Sequence, residues 1–124
     1  MANRREFIQT GIAASVLPVL AAAKELLPQS QFYKVIFDHR FPASREFAAE
    51  MEKLGAPVCG IHGDITDLWF HDLYHRWKQS PAPIAGMTAH GPLFCLERLA
   101  WDHGMRVLYR TDSEPLISWI IGPK

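Results

Sequence analysis

The chain has 124 residues, 48% of them hydrophobic and 21% charged, enough for one domain with a real core and too few for two. Thirteen basic side chains balance thirteen acidic ones, so the basic patch that nucleic acid or an anionic membrane surface requires is not expected. Cys59 and Cys95 form no CxxC and fit no zinc spacing, which excludes a thioredoxin-like motif or a cysteine zinc site and leaves either two free thiols or one disulfide.

The amino terminus reads Asn3-Arg4-Arg5-Glu6-Phe7-Ile8-Gln9, then an apolar stretch from Gly11 to Leu20, then Ala21-Ala22-Ala23. Paired arginines, a variable residue, Phe, an aliphatic and a polar residue: this order resembles the twin-arginine export motif, carried here by Arg4, Arg5 and Phe7. The alanines satisfy the small-x-small rule of a signal peptidase and place cleavage before Lys24, making 1–23 a signal peptide. With the alanines the apolar stretch is about 13 residues long and contains Pro18, against roughly 20 for a spanning helix, so no permanent membrane span is expected. The resemblance implies export of an already folded chain to the periplasm or cell envelope. Such a chain either carries its own cofactor or escorts a catalytic partner that has no signal. Without Arg4, Arg5 and Glu6 it keeps eleven basic and twelve acidic side chains and stays close to neutral.

Residues 24–31 lack periodicity and read as a linker, and 32–124 as a single α/β domain. Phe32 to Phe37 is apolar on both faces, as in a strand inside a parallel sheet. Pro42 to Leu54 spaces Phe47, Met51 and Leu54 helically, between an early proline and Gly55. Val58 to Ile61 is a second strand, and Asp64 caps a helix running to about Gln79. Ile84 to Ala89 is a third strand, followed by a helix from Gly91 to about His103 that Gly104 closes. Met105 to Tyr109 alternates as an edge-side strand, and Leu116 to Ile121 returns antiparallel beside it after the turn-forming run Thr111-Asp112-Ser113-Glu114-Pro115. The fold class expected is a small two-layer or three-layer α/β sandwich of about three parallel strand-helix units plus a carboxy-terminal antiparallel hairpin.

His39, His62 and His90 each follow an expected parallel strand, where ligands of open α/β sheets bind. With Asp38 or Asp64 nearby they are candidates to hold zinc or another transition metal, and with Arg40 to act on an anionic substrate. The turn from Gly60 to Asp64 has the glycines of a small anion cradle. His71-Asp72-Leu73-Tyr74-His75 resembles the HExxH zinc helix only superficially, because Asp72 replaces the longer Glu. Asp64, Asp67, His71, His75 and Lys78 fall on one helical face, which reads as solvated. The third helix is apolar almost all round, which makes Leu93, Leu96, Leu99 and Trp101, with Trp119, a candidate partner surface.

No dinucleotide fingerprint, phosphate loop, nucleophile elbow or haem-attachment motif is present. Two function classes follow. The favoured one is an exported accessory subunit of a larger cell-envelope enzyme, redox in kind given the route. The other is a small metal-dependent hydrolase or ligand-binding domain that uses the histidines at the strand ends.

Overall fold

A computed structural model of the chain describes residues 16–27 and 31–123. The protein is mixed α/β, with one five-stranded mixed sheet in the order β2-β1-β3-β5-β4. Its elements are α1 (Val16–Leu26), β1 (Lys34–Asp38), α2 (Pro42–Lys53) and β2 (Val58–Ile61), then α3, β3 (Ile84–Thr88), α4 (His90–Trp101), β4 (Met105–Ser113) and β5 (Leu116–Pro123). Helix α3 is continuous but not uniform: an α turn Thr66–Leu68, a π turn Trp69–Leu73 and an α segment Tyr74–Gln79. Strands β1, β2 and β3 are mutually parallel, whereas β5 runs antiparallel to both β3 and β4. The final hairpin is therefore folded inward, with β5 as the strand joining β4 to the parallel half.

Side chains on a strand alternate between faces, and the buried residues sort accordingly into two clusters. Ile36, Ile84, Ile117, Trp119 and Ile121 join Leu68, Leu73 and Trp77 of α3 and Leu93, Leu96 and Ala100 of α4. On the other face Val35, Ala85, Met87, Leu116 and Ile120 join Phe47 and Met51 of α2 and Val16 and Val19 of α1. Strand β5 is buried from Leu116 to Gly122, as a strand covered on both faces must be. β2 and β4 are the two edge strands, and between Val107 and Tyr109 the register of β4 slips, a bulge of the kind that discourages pairing by a further strand.

Helix ends follow the sequence signals at α2 and after α4, whereas α3 has Ile65 and not Asp64 at its N-cap. Pro42 opens α2, where the missing N–H would be unpaired in any case, and Gly55 at φ 92° lets the chain leave. Gly104 at φ 76° does the same after α4. The apolar faces of α3 lie inward as its periodicity requires, leaving Asp64, Asp67, His71, His75 and Lys78 exposed.

Helix α1 spans the expected cleavage point and reaches into the stretch 24–31, so Lys24–Leu26 are helical where an irregular linker was expected. Arg4, Arg5 and Phe7 lie outside the described residues. No helix among the described residues is long and apolar enough to cross a membrane.

Candidate functional site

Because β1, β2 and β3 are parallel, the residues that follow them collect at one edge of the sheet. Asp38, the last residue of β1, is fully buried there. Its backbone N–H donates to Ser44 Oγ at 2.8 Å, and Ser44 Oγ–H donates to the Met87 carbonyl at 2.6 Å, tying α2 to β1 and β3. Its carboxylate accepts two hydrogen bonds from Arg40 Nε (3.0 and 3.2 Å), one from Nη2 (2.8 Å) and one from the Arg40 backbone N–H (3.0 Å). Burial works to raise the pKa of Asp38, but the Arg40 hydrogen bonds and charge, with a smaller contribution from His62, hold it below the usual carboxylate value.

The imidazoles of His39 and His62 stack with centroids 4.8 Å apart, and Phe37 meets His39 edge-on at 4.7 Å. They fit because residue 60 is glycine, whose absent Cβ would overlap His39 Nε2. Gly63 likewise leaves the space that the Arg40 guanidinium occupies. The loops after β1 and β2 are thus interlocked. Arg40 is paired with Asp38, and its guanidinium lies against Gly63 of the Gly60–Asp64 turn. Asp64 accepts from the Thr66 N–H and Oγ–H at 3.0 and 2.7 Å, at the start of α3.

His90 does not join His39 and His62 in one ligand set. It is the first residue of α4, and its Nε2 lies 3.4 Å from Glu114 Oε2 on the β4–β5 turn. The reason is topological. β3 carries β1 on one side and β5 on the other, so the loop after β3 meets the hairpin end. Thr88 pairs with Ile117, which pairs in turn with Asp112. Among the described residues, His90, Asp112 and Glu114 are the one group of three or more metal-ligating side chains with all ligand atoms within 4.8 Å of one another. Asp112 and Glu114 went unnoticed in the sequence because they sit in a run dominated by turn residues.

A second network was also missed. Asp72 lies on the π turn of α3 and faces the sheet, accepting from Tyr33 Oη–H and from Lys34 Nζ, the latter at 3.0 Å. Burial pushes Asp72 up, and these two hydrogen bonds, helped by the Lys34 charge, bring it below the ordinary value. A carboxylate so engaged is not the general base of an HExxH site.

On α4 the expected partner surface divides. Leu93, Leu96 and Ala100 are buried against the sheet, Leu99 is half-buried, and Trp119 on β5 is fully buried, so Leu93, Leu96 and Trp119 are core rather than docking residues. Trp101 is 60% exposed and so is Phe94, two helical turns away. Arg98 lies over the Phe94 ring at 6.0 Å and Arg106 over the Trp101 ring at 4.5 Å. Phe94 could have been found as the residue facing away from the Leu93-Leu96-Ala100 stripe. No protein family, no curated protein and no solved structure matches the chain.

Proposed function

We propose that the protein is an exported accessory subunit that docks a larger cell-envelope enzyme, redox in kind, through the outer stripe of α4. The observation that carries this reading is the exposed pair Phe94 and Trp101, with Arg98 between them and Arg106 beside Trp101. Large exposed aromatics on a rigid helix, backed by arginines, are the residue types that dominate binding energy at protein interfaces. A partner suited to them offers an apolar cup with carboxylates at its rim. The motif at Arg4, Arg5 and Phe7 supports export by the twin-arginine route, and with it a place in the periplasm or cell envelope. We read the fold as a three-layer sandwich, with α1 and α2 on one face of the sheet and α3 and α4 on the other. The competing reading, a metal-dependent hydrolase with His39, His62 and His90 in one site, is weakened by the pairing of His90 with the hairpin instead.

The test uses the protein expressed from its full sequence, tagged at its carboxy terminus and recovered from its own cell envelope. Trp101→Glu and Phe94→Glu are expected to abolish co-purification of a larger partner while leaving the melting temperature within a few degrees, since neither side chain is core. Arg4→Lys with Arg5→Lys is expected to hold a folded protein in the cytoplasm. Retention of the partner by both α4 variants, or no partner with the unaltered chain, refutes docking. Unchanged export of the double arginine variant refutes the route.

A further inference from the structure

We propose that His90, Asp112 and Glu114 form a binding site for a divalent transition-metal ion, zinc by preference, with at least one coordination position left for an outside ligand. The site lies apart from the stacked pair His39 and His62, and His90 shares a shallow cleft with Phe94 of the α4 stripe and with Arg110.

Geometry is the first support. Ligand atoms bonded to zinc at about 2.0–2.2 Å in a tetrahedral arrangement lie roughly 3.3–3.6 Å from each other. His90 Nε2 and Glu114 Oε2 stand 3.4 Å apart, so a cation could bridge them with little rearrangement. The third ligand atom lies within 4.8 Å of both, a gap that rotation of an exposed Asp side chain can close.

The donor set is the second support. One imidazole nitrogen with two carboxylates suits zinc and the neighbouring transition metals, and the two negative charges match a dication. Calcium and magnesium, which take all-oxygen shells, fit this set less well. The three residues also come from elements that are held in place. His90 starts a helix whose inner face is buried, and Asp112 belongs to the ladder that joins β4 to β5. Glu114 follows one residue after the last β4 pair, Ser113 with Leu116.

One residue opposes the ion. Arg110 Nε donates to Asp112 Oδ1 at 2.9 Å and must release that oxygen before Asp112 can bind metal. This makes a distinctive forecast, because removing a cation near the site should strengthen metal binding whereas removing a ligand should weaken it.

The experiment is a titration of the metal-free full chain with zinc alone, against a competing chromophoric chelator. One equivalent is expected to bind. His90→Ala and Glu114→Gln should each weaken it by about tenfold or more, a loss at least as large as that seen on altering residues which merely support a ligand. Arg110→Ala should tighten it severalfold. The double variant His39→Ala with His62→Ala should bind as the unaltered chain does. His90, Asp112 and Glu114 are all exposed, so the variants should keep the wild-type melting temperature without zinc. No binding at a large molar excess of zinc overturns the proposal. So does an equivalent that survives both His90→Ala and Glu114→Gln, or one that disappears with His39 and His62.

Discussion

The indole N–H of Trp119 donates to Thr88 Oγ at 3.1 Å within the sheet, and the Thr88 Oγ–H donates in turn to the Ala89 carbonyl at 2.9 Å. Trp119 lies opposite Gly86 in the β3:β5 ladder, and its ring fills the space that a side chain at 86 would need. A Cβ there would stand 2.6 Å from Trp119 Cζ2 and 2.5 Å from the Ile36 carbonyl oxygen. Gly86 therefore joins the parallel half of the sheet to the antiparallel half.

Gly86→Ala is expected to destabilise the protein by about 1–3 kcal/mol through overpacking, because one of the two clashing atoms is backbone and cannot turn aside. Thr88→Val should cost about 1–3 kcal/mol by a different route, leaving a buried indole N–H without its acceptor. Urea unfolding measures both. Wild-type midpoints for the two variants would contradict this packing.

Asp38 should make stability fall in acid. Its folded pKa is depressed, so the stabilisation from its ionised form is present above the unfolded value of about 3.9 and is lost as pH drops through the folded value. Asp38→Asn should accordingly melt lower than the wild type near neutral pH, and the gap should close below about pH 4. A gap that stays constant down to about pH 3 would show that Asp38 contributes by shape and not by charge.

The two cysteines should react unequally. Both are free, Cys95 exposed on α4 and Cys59 half-buried on β2. Burial pushes the Cys59 thiol up, Lys34 pulls it back and Asp72 raises it again, with a net rise that leaves little thiolate at neutral pH. A chromogenic disulfide reagent should find one rapid equivalent in the native protein, absent from Cys95→Ser, and a second that appears slowly or on unfolding. Two thiols reactive only after reduction would instead mean a disulfide.

What the sequence allowed one to read depended on how local the signal was. Strands β1, β2 and β3 were legible because apolar runs stood between proline and glycine stops, and the parallel sense of the three followed from the alternating helices. The insertion of β5 between β3 and β4 was not legible, since it depends on tertiary packing, such as that of Trp119 against Gly86. On α4, Leu93 and Phe94 are equally apolar, so hydropathy alone did not say which faced the sheet. The π turn at Trp69–Leu73 shifts the helical wheel and aims Asp72 at Lys34, a hydrogen-bond slip that no residue spacing announces. His90 was identified as a strand-end residue, but its partners Asp112 and Glu114 became visible only with the hairpin's register.

Helix α1 sets the last expectation. Val16 and Val19 are completely buried and pack in the cluster that holds Phe47, Met51, Leu116 and Ile120. A fully buried valine contributes about 1.5–3 kcal/mol, an upper figure because the unfolded chain already hides some of that surface, and ordering the helix offsets part of it. If the chain is cut before Lys24, that face of the sheet loses its cover. A protein beginning at Lys24 should therefore melt several degrees lower than the full chain and should bind a hydrophobic dye that the full chain does not. Val19→Asp in the full chain should raise dye binding in the same way, because an unpaired carboxylate cannot remain in that cluster and the helix must undock. Equal melting temperatures and no dye binding after loss of residues 1–23 would mean that α1 adds nothing to the domain. A measurable loss would mean that the chain before cleavage and the chain after it present different surfaces to any partner, and the intact mass of the protein recovered from the cell envelope would then tell which surface is offered there.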